Sequence, residues 1–79
     1  MSRTEILEKL QIIFRDSFDD ESLTITEETT ANDVEGWDSL MHIALIAEVE
    51  DVFDFKFEMK DVVGMKNVGD MVSIIEDEA

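Results

Sequence analysis

Ser39 is the residue best placed to do chemistry. It lies in Gly36-Trp37-Asp38-Ser39-Leu40, where a polar stretch gives way to the longest helical pattern in the chain. Asp38 is a good N-cap, which puts Ser39 on the first helical turn with its hydroxyl at the surface. That turn has unpaired backbone N–H groups and the positive end of a helix dipole, so it can accept a phosphate on the hydroxyl. The chain contains no cysteine and a single histidine, His42. It has little covalent chemistry of its own, and a serine carrying a phosphate-linked group would change that.

Other chemistry-bearing residues give weaker signals. His42 falls one turn from Ser39, on the edge of the helix's buried face, and is read first as a packed or hydrogen-bonded imidazole. Contact with a group held on Ser39 is the sharper alternative. A catalytic Ser-His pair lacks an orienting third group and an oxyanion site, so the chain is not read as an enzyme. Asp16, Asp19, Asp20 and Glu21 lack the central glycine and the distant bidentate Glu of an EF-hand loop. They can screen Ca²⁺ or Mg²⁺ weakly, but they make no dedicated metal site.

The elements that must position Ser39 follow from periodicity and caps. Ser2 and Glu5 form a capping box. Ile6, Leu7, Leu10, Ile13 and Phe14 then recur at helical spacing, predicting a first helix over about residues 3–16 with Phe18 folding back on its end. Residues 19–37 form a long connection pinned by Leu23, Ile25, Val34 and Trp37, with a short helical turn possible over Thr26-Glu27-Glu28-Thr29. Such a long loop is uncommon in a compact domain and often functional.

A second helix is predicted from Ser39 to about Phe53. Ile43, Ile46, Val49 and Phe53 share its inner face, with Leu45 at the edge. Leu40, Met41, Ala44, Ala47, Glu48 and Asp51 lie around the other side. A short third helix is expected within Glu58 to Val63, ended by Gly64. Asn67 caps a fourth, with Asp70 at its third position and Val68, Met71, Val72, Ile74 and Ile75 as its buried face. Asp54-Phe55-Lys56-Phe57 alternates like a strand but has nothing to pair with. The fold class is all-α: a small four-helix bundle with a long loop between helices one and two, filling residues 1–79 as a single domain.

Composition limits the function classes. A chain of 79 residues with a formal charge of −15 has one small core and considerable self-repulsion. From Asp16 to Phe55 there are thirteen Asp and Glu and no Lys or Arg; the cations are Arg3, Lys9, Arg15, Lys56, Lys60 and Lys66. Apolar residues make up 44%, which favours a folded domain over an acidic disordered one. Nucleic acid is excluded as a partner because phosphate binding needs a basic surface; basic protein surfaces fit instead. The longest apolar run, Ile43 to Ala47, is too short to cross a membrane. Met1-Ser2-Arg3-Thr4 leads directly into the first helix with no apolar signal region. A free-standing cytoplasmic monomer is expected.

Gly36-Trp37-Asp38-Ser39-Leu40 followed by Ile43, Ile46, Val49, Glu50 and Phe53 resembles the acyl and peptidyl carrier proteins. The likeness continues through Phe57, Met65-Lys66-Asn67-Val68 and Ile74-Ile75 in one register. It implies that a dedicated Mg²⁺-requiring phosphopantetheinyl transferase attaches a 4′-phosphopantetheine arm from coenzyme A to Ser39. The thiol of that arm would hold acyl groups as thioesters, with the chemistry done by acyl-loading and acyl-processing partners.

On this resemblance Asp38 caps the helix and helps the transferase recognise the site, and Gly36 lets the loop turn sharply. Leu40 contacts partners beside the arm. Glu48, Asp51 and Asp54 meet basic residues on those partners. Fatty-acid synthase carriers commonly bear acids after the Leu, where this chain has Met41 and Ala44. Val63 likewise stands at an often acidic position. The resulting apolar docking surface favours a dedicated pathway, such as polyketide, peptide, lipid or surface-glycan modification. Val49, Phe57, Met65 and Met71 are read as core, although such an interior can open to shelter an acyl chain. The alternative from another class is an unmodified acidic helical adaptor for a basic partner.

Overall fold

The computed structural model describes residues 1–78. Among them the regular elements are all helical: α1 (Arg3–Ser17), α2 (Ser39–Phe53), α3 (Met59–Gly64) and α4 (Val68–Glu78), with one 3-10 turn over Ala31–Asp33 inside the long loop. This is the expected four-helix arrangement, and Asp54 to Phe57 forms no strand.

The caps explain the helix starts. Ser2 Oγ accepts from the Glu5 amide at 3.2 Å, and Glu5 returns the bond to the Ser2 amide at 3.0 Å, so two orphan donors of α1 are satisfied reciprocally. Asn67 Oδ1 accepts the Asp70 amide at 2.9 Å. Asp70 Oδ2 in turn accepts the Lys66 amide at 2.8 Å, fixing the turn into α4. At the far end of α2, Asp54 closes the helix in the left-handed conformation (φ 57°), which Asp tolerates better than most residues.

α1 packs against both α2 and α4. The core combines Ile6, Leu10, Ile13 and Phe14 with Leu45, Ile46, Val49 and Phe53 and with Val68, Met71, Val72 and Ile75; the loop adds Ile25. Each such side chain, fully buried, is worth about 2 kcal/mol. α3 buries none, so it gains far less from packing than the three long helices. Val62 and Met65 touch the core only in part.

Expectations for the helices change in three places. Ile43 is 59% exposed and Leu45 is fully buried, so the inner face of α2 is rotated toward Leu45. Ile74 is only half-buried, because the inner stripe of α4 runs through Val68, Met71, Val72 and Ile75. Gly64 is the last helical residue of α3, and Met65 follows it in extended conformation.

The long loop lies against the helices. The radius of gyration is 11.3 Å, close to the roughly 11–12 Å of a compact chain of this length. Gln11 Oε1 accepts the Ile25 amide at 2.7 Å, and Arg15 Nε donates to the Leu23 carbonyl at 2.7 Å. Beyond these, the first amides of α4 do the holding: Val68 N–H donates to the Thr29 carbonyl at 2.9 Å and Gly69 N–H to the Glu27 carbonyl at 2.8 Å. Thr26 to Thr29 makes a turn closed by the Thr29 amide on the Thr26 carbonyl rather than a helical segment. Ile25 and Val34 are buried, and Leu23 and Trp37 are partly so. All four pin the loop as their types suggested.

Candidate functional site

The loop reaches α2 through Gly36, whose φ of +89° belongs to the region glycine enters without cost. A β-carbon there would meet nothing closer than Phe18 at 4.0 Å, so the backbone angle, not space, requires glycine. Trp37 then drops toward the core, edge-on to Phe14 with ring centroids 5.2 Å apart. This anchor fixes the next two residues relative to the bundle.

Asp38 is the N-cap, with its Oδ1 accepting the Met41 amide at 2.8 Å. The Asp38 carbonyl accepts the His42 amide at 2.8 Å. The Ser39 and Leu40 amides have no acceptor among the described residues. Ser39 is the first helical residue and is exposed. Its hydroxyl therefore stands at the surface beside two free N–H donors and the positive end of a 15-residue helix, an arrangement suited to a phosphate ester.

Ser39 borders a cleft of about 520 Å³ between α2 and α3. Ile43, Val62, Val63 and Met71 line it with apolar surface, and Lys66 and Asn67 add polar groups on the α4 side. Leu40 is 83% exposed beside it. The chemical capacity of the site is to hold a phosphate-linked group at Ser39 and to shelter an apolar chain nearby.

His42 has both ring nitrogens engaged. The Trp37 indole N–H donates to Nδ1 at 3.2 Å, and indole can only donate. Nδ1 must therefore be the bare nitrogen, leaving Nε2 to donate to the Val62 carbonyl at 3.2 Å. The hydrogen-bonded reading of His42 is correct, and an imidazole so occupied is not free to serve Ser39 as a base.

Leu40, Met41, Ala44, Glu48 and Asp51 share one face of α2, with Asp54 at its C-cap. All are exposed except Met41, which is half-buried. Glu50 belongs elsewhere: its Oε2 accepts the Phe57 amide at 2.7 Å, holding the segment after α2. Neither the His42–Val62 bond nor the place of Lys66 at the cleft is legible from residue types and spacing, since both depend on where α3 and α4 come to rest. Among the described residues, no group of three His, Cys, Asp or Glu is placed to hold a metal, and no helix is long and apolar enough to cross a membrane.

Residues 8–75 match the family model described as the phosphopantetheine attachment site. The acyl carrier protein of Streptococcus pyogenes serotype M3 is 35% identical over 74 residues, spanning 94% of this chain and 96% of that protein. The acyl carrier protein of Thermotoga maritima is also 35% identical, over 95% of this chain and 93% of its own. Among solved structures, the solution structure of a holo acyl carrier protein from Geobacter metallireducens superposes with a TM-score of 0.85 at 42% identity. That match covers 91% of this chain and 83% of the other.

Proposed function

The chain belongs to the acyl carrier protein family, and on that premise we propose that Ser39 is the residue through which it carries cargo. The family's covalent 4′-phosphopantetheine supplies a flexible thiol that holds acyl groups as thioesters. A chain without cysteine has no other thiol to offer. It acts as a carrier, not a catalyst. Partner enzymes do the chemistry, among them a phosphopantetheinyl transferase to install the arm.

One observation carries the assignment to Ser39: its hydroxyl is exposed on the first turn of α2, at the mouth of the cleft. Asp38 holds that turn in shape. The Ser39 and Leu40 amides are available to the phosphate oxygens, and Leu40 flanks the arm.

We assign docking to the outer face of α2. Leu40, Met41 and Ala44 would meet apolar partner surface, and Glu48, Asp51 and Asp54 basic side chains. Ile43 and Val63, 59% and 76% exposed, enlarge the apolar part. An apolar patch at the start of α2 with acids further along the helix selects partners that set basic groups beside an apolar surface. That favours a dedicated acyl, ketide, aminoacyl or glycan-modifying pathway over general fatty-acid synthesis.

The test is direct. Incubation with coenzyme A, Mg²⁺ and a broad-specificity phosphopantetheinyl transferase is expected to add one phosphopantetheine by intact mass. Ser39→Ala should gain nothing. An unchanged mass in a folded wild-type sample would overturn the assignment and leave the unmodified acidic adaptor.

A further inference from the structure

We propose that Trp37, His42 and the Val62 carbonyl form a latch that fixes α3 against the start of α2, and so sets the width of the cleft beside Ser39. The idea that the cleft matters to cargo rests on the carrier reading above; the latch itself rests on geometry.

α3 has little else to hold it. It is six residues long and buries no side chain, and its N-cap Glu58 makes no side-chain capping bond. Met59 and Val63 are 75% and 76% exposed. The last carbonyls of any helix lack intrahelical partners, and in so short a helix Val62 is among them. The amide four residues on, at Lys66, is already donated to Asp70 Oδ2 at 2.8 Å. His42 Nε2 takes the vacant role, donating to the Val62 carbonyl at 3.2 Å.

The other end of the imidazole is also fixed. Trp37, seated edge-on against Phe14, donates to Nδ1 at 3.2 Å and stacks on the imidazole at 30° with centroids 6.0 Å apart. The chain of bonds thus runs from the core, through the loop residue two before Ser39, across α2, to the C-terminal turn of α3. Trp37, His42 and Val62 all line the cleft, so a change in this link moves a wall of it. His42 is a positioning residue: both its ring nitrogens are taken up by Trp37 and Val62.

The experiment uses the ¹⁵N-labelled full-length apo protein. His42 should show a protonated Nε2 and a bare Nδ1 in its ring ¹⁵N spectrum. In His42→Phe, which keeps an aromatic ring but loses both bonds, the Asp61 and Val62 amides donated to the Glu58 carbonyl should exchange about tenfold faster or more. Core amides of α1 and α4 should stay within about threefold. Trp37→Phe, which removes only the indole donor and some ring area, should act in the same direction and serves if His42→Phe does not fold. Uniform acceleration through all helices, or no change in α3, would overturn the latch. Phosphopantetheine loading is followed separately by mass. Failure to load wild type would refute the carrier assignment of Ser39 and leave the exchange result standing.

Discussion

The Gly69 backbone approaches the Glu27 carbonyl so closely that a β-carbon at position 69 would stand 2.9 Å from that oxygen. The approach lets the Gly69 amide donate to Glu27 at 2.8 Å, next to the Val68 bond to Thr29. Ala is favoured over Gly inside a helix by about 1 kcal/mol, yet here it would force a backbone oxygen away and endanger two loop bonds. Gly69→Ala is therefore expected to destabilise the fold by about 1–3 kcal/mol, lowering Tm by about 4–8 °C per kcal/mol. Thermal melts followed by circular dichroism check this. An unchanged or higher Tm would show that the loop yields freely.

Arg3 bonds Glu27 and Glu76 and reaches Ser73 Oγ and the Gly69 carbonyl. The Arg3 guanidinium holds the Glu27 carboxyl below its ordinary value of 4.5. The Ser2 amide and hydroxyl lower Glu5, and Ser22 lowers Asp20. A depressed acid contributes stability that is present above its unfolded pKa and is lost as pH falls through the folded value. Partial neutralisation of the acidic surface works in the opposite sense between pH 7 and that range. Stability is expected to rise on mild acidification and then fall below about pH 4. Arg3→Met should flatten that acid limb, which denaturant titrations at stepped pH will read; an equally steep limb would remove Arg3 from the account.

The cap at Asp38 separates structure from recognition. Asp38→Ala removes the acceptor for the Met41 amide and should cost about 1 kcal/mol. Asp38→Asn keeps an acceptor and should melt close to wild type. If the transferase reads the charge, Asp38→Asn will load slowly despite its intact fold. Equal loading of Asn and Asp variants would confine Asp38 to capping.

Docking can be tested without disturbing the core. Leu40 is 83% exposed and Asp51 is exposed, so Leu40→Ala and Asp51→Lys should each change stability by no more than about 0.5 kcal/mol. Both are expected to slow loading, Asp51→Lys most at low salt, where steering is strongest. Rates unchanged at low salt would show that partners do not use this face.

The parts of the fold legible in the sequence were those with local causes. Ser2 with Glu5, Asp38 before Ser39 and Asn67 before Val68 mark helix starts by side-chain capping, and all three caps are present. On the inner face of α2, Ile46, Val49 and Phe53 are buried as their spacing predicts, and only Ile43 and Leu45 exchange places, because Leu40, Met41, Ile43, Ala44, Leu45, Ile46 and Ala47 are apolar all round. With no polar stripe to oppose them, periodicity cannot choose between Ile43 and Leu45. Ser39 was legible because its exposure follows from a cap and a helix start. The His42–Val62 bond and the hold of α4 on the loop were not, since each joins residues far apart in sequence whose types suit many partners.

Trp37 is the only tryptophan in the chain, and its indole sits against His42 at the border of the cleft. All indole emission therefore arises within the neighbourhood of Ser39. The native protein carries its own optical gauge there, able to follow arrival of an arm, lengthening of a cargo or approach of another enzyme without any dye attached.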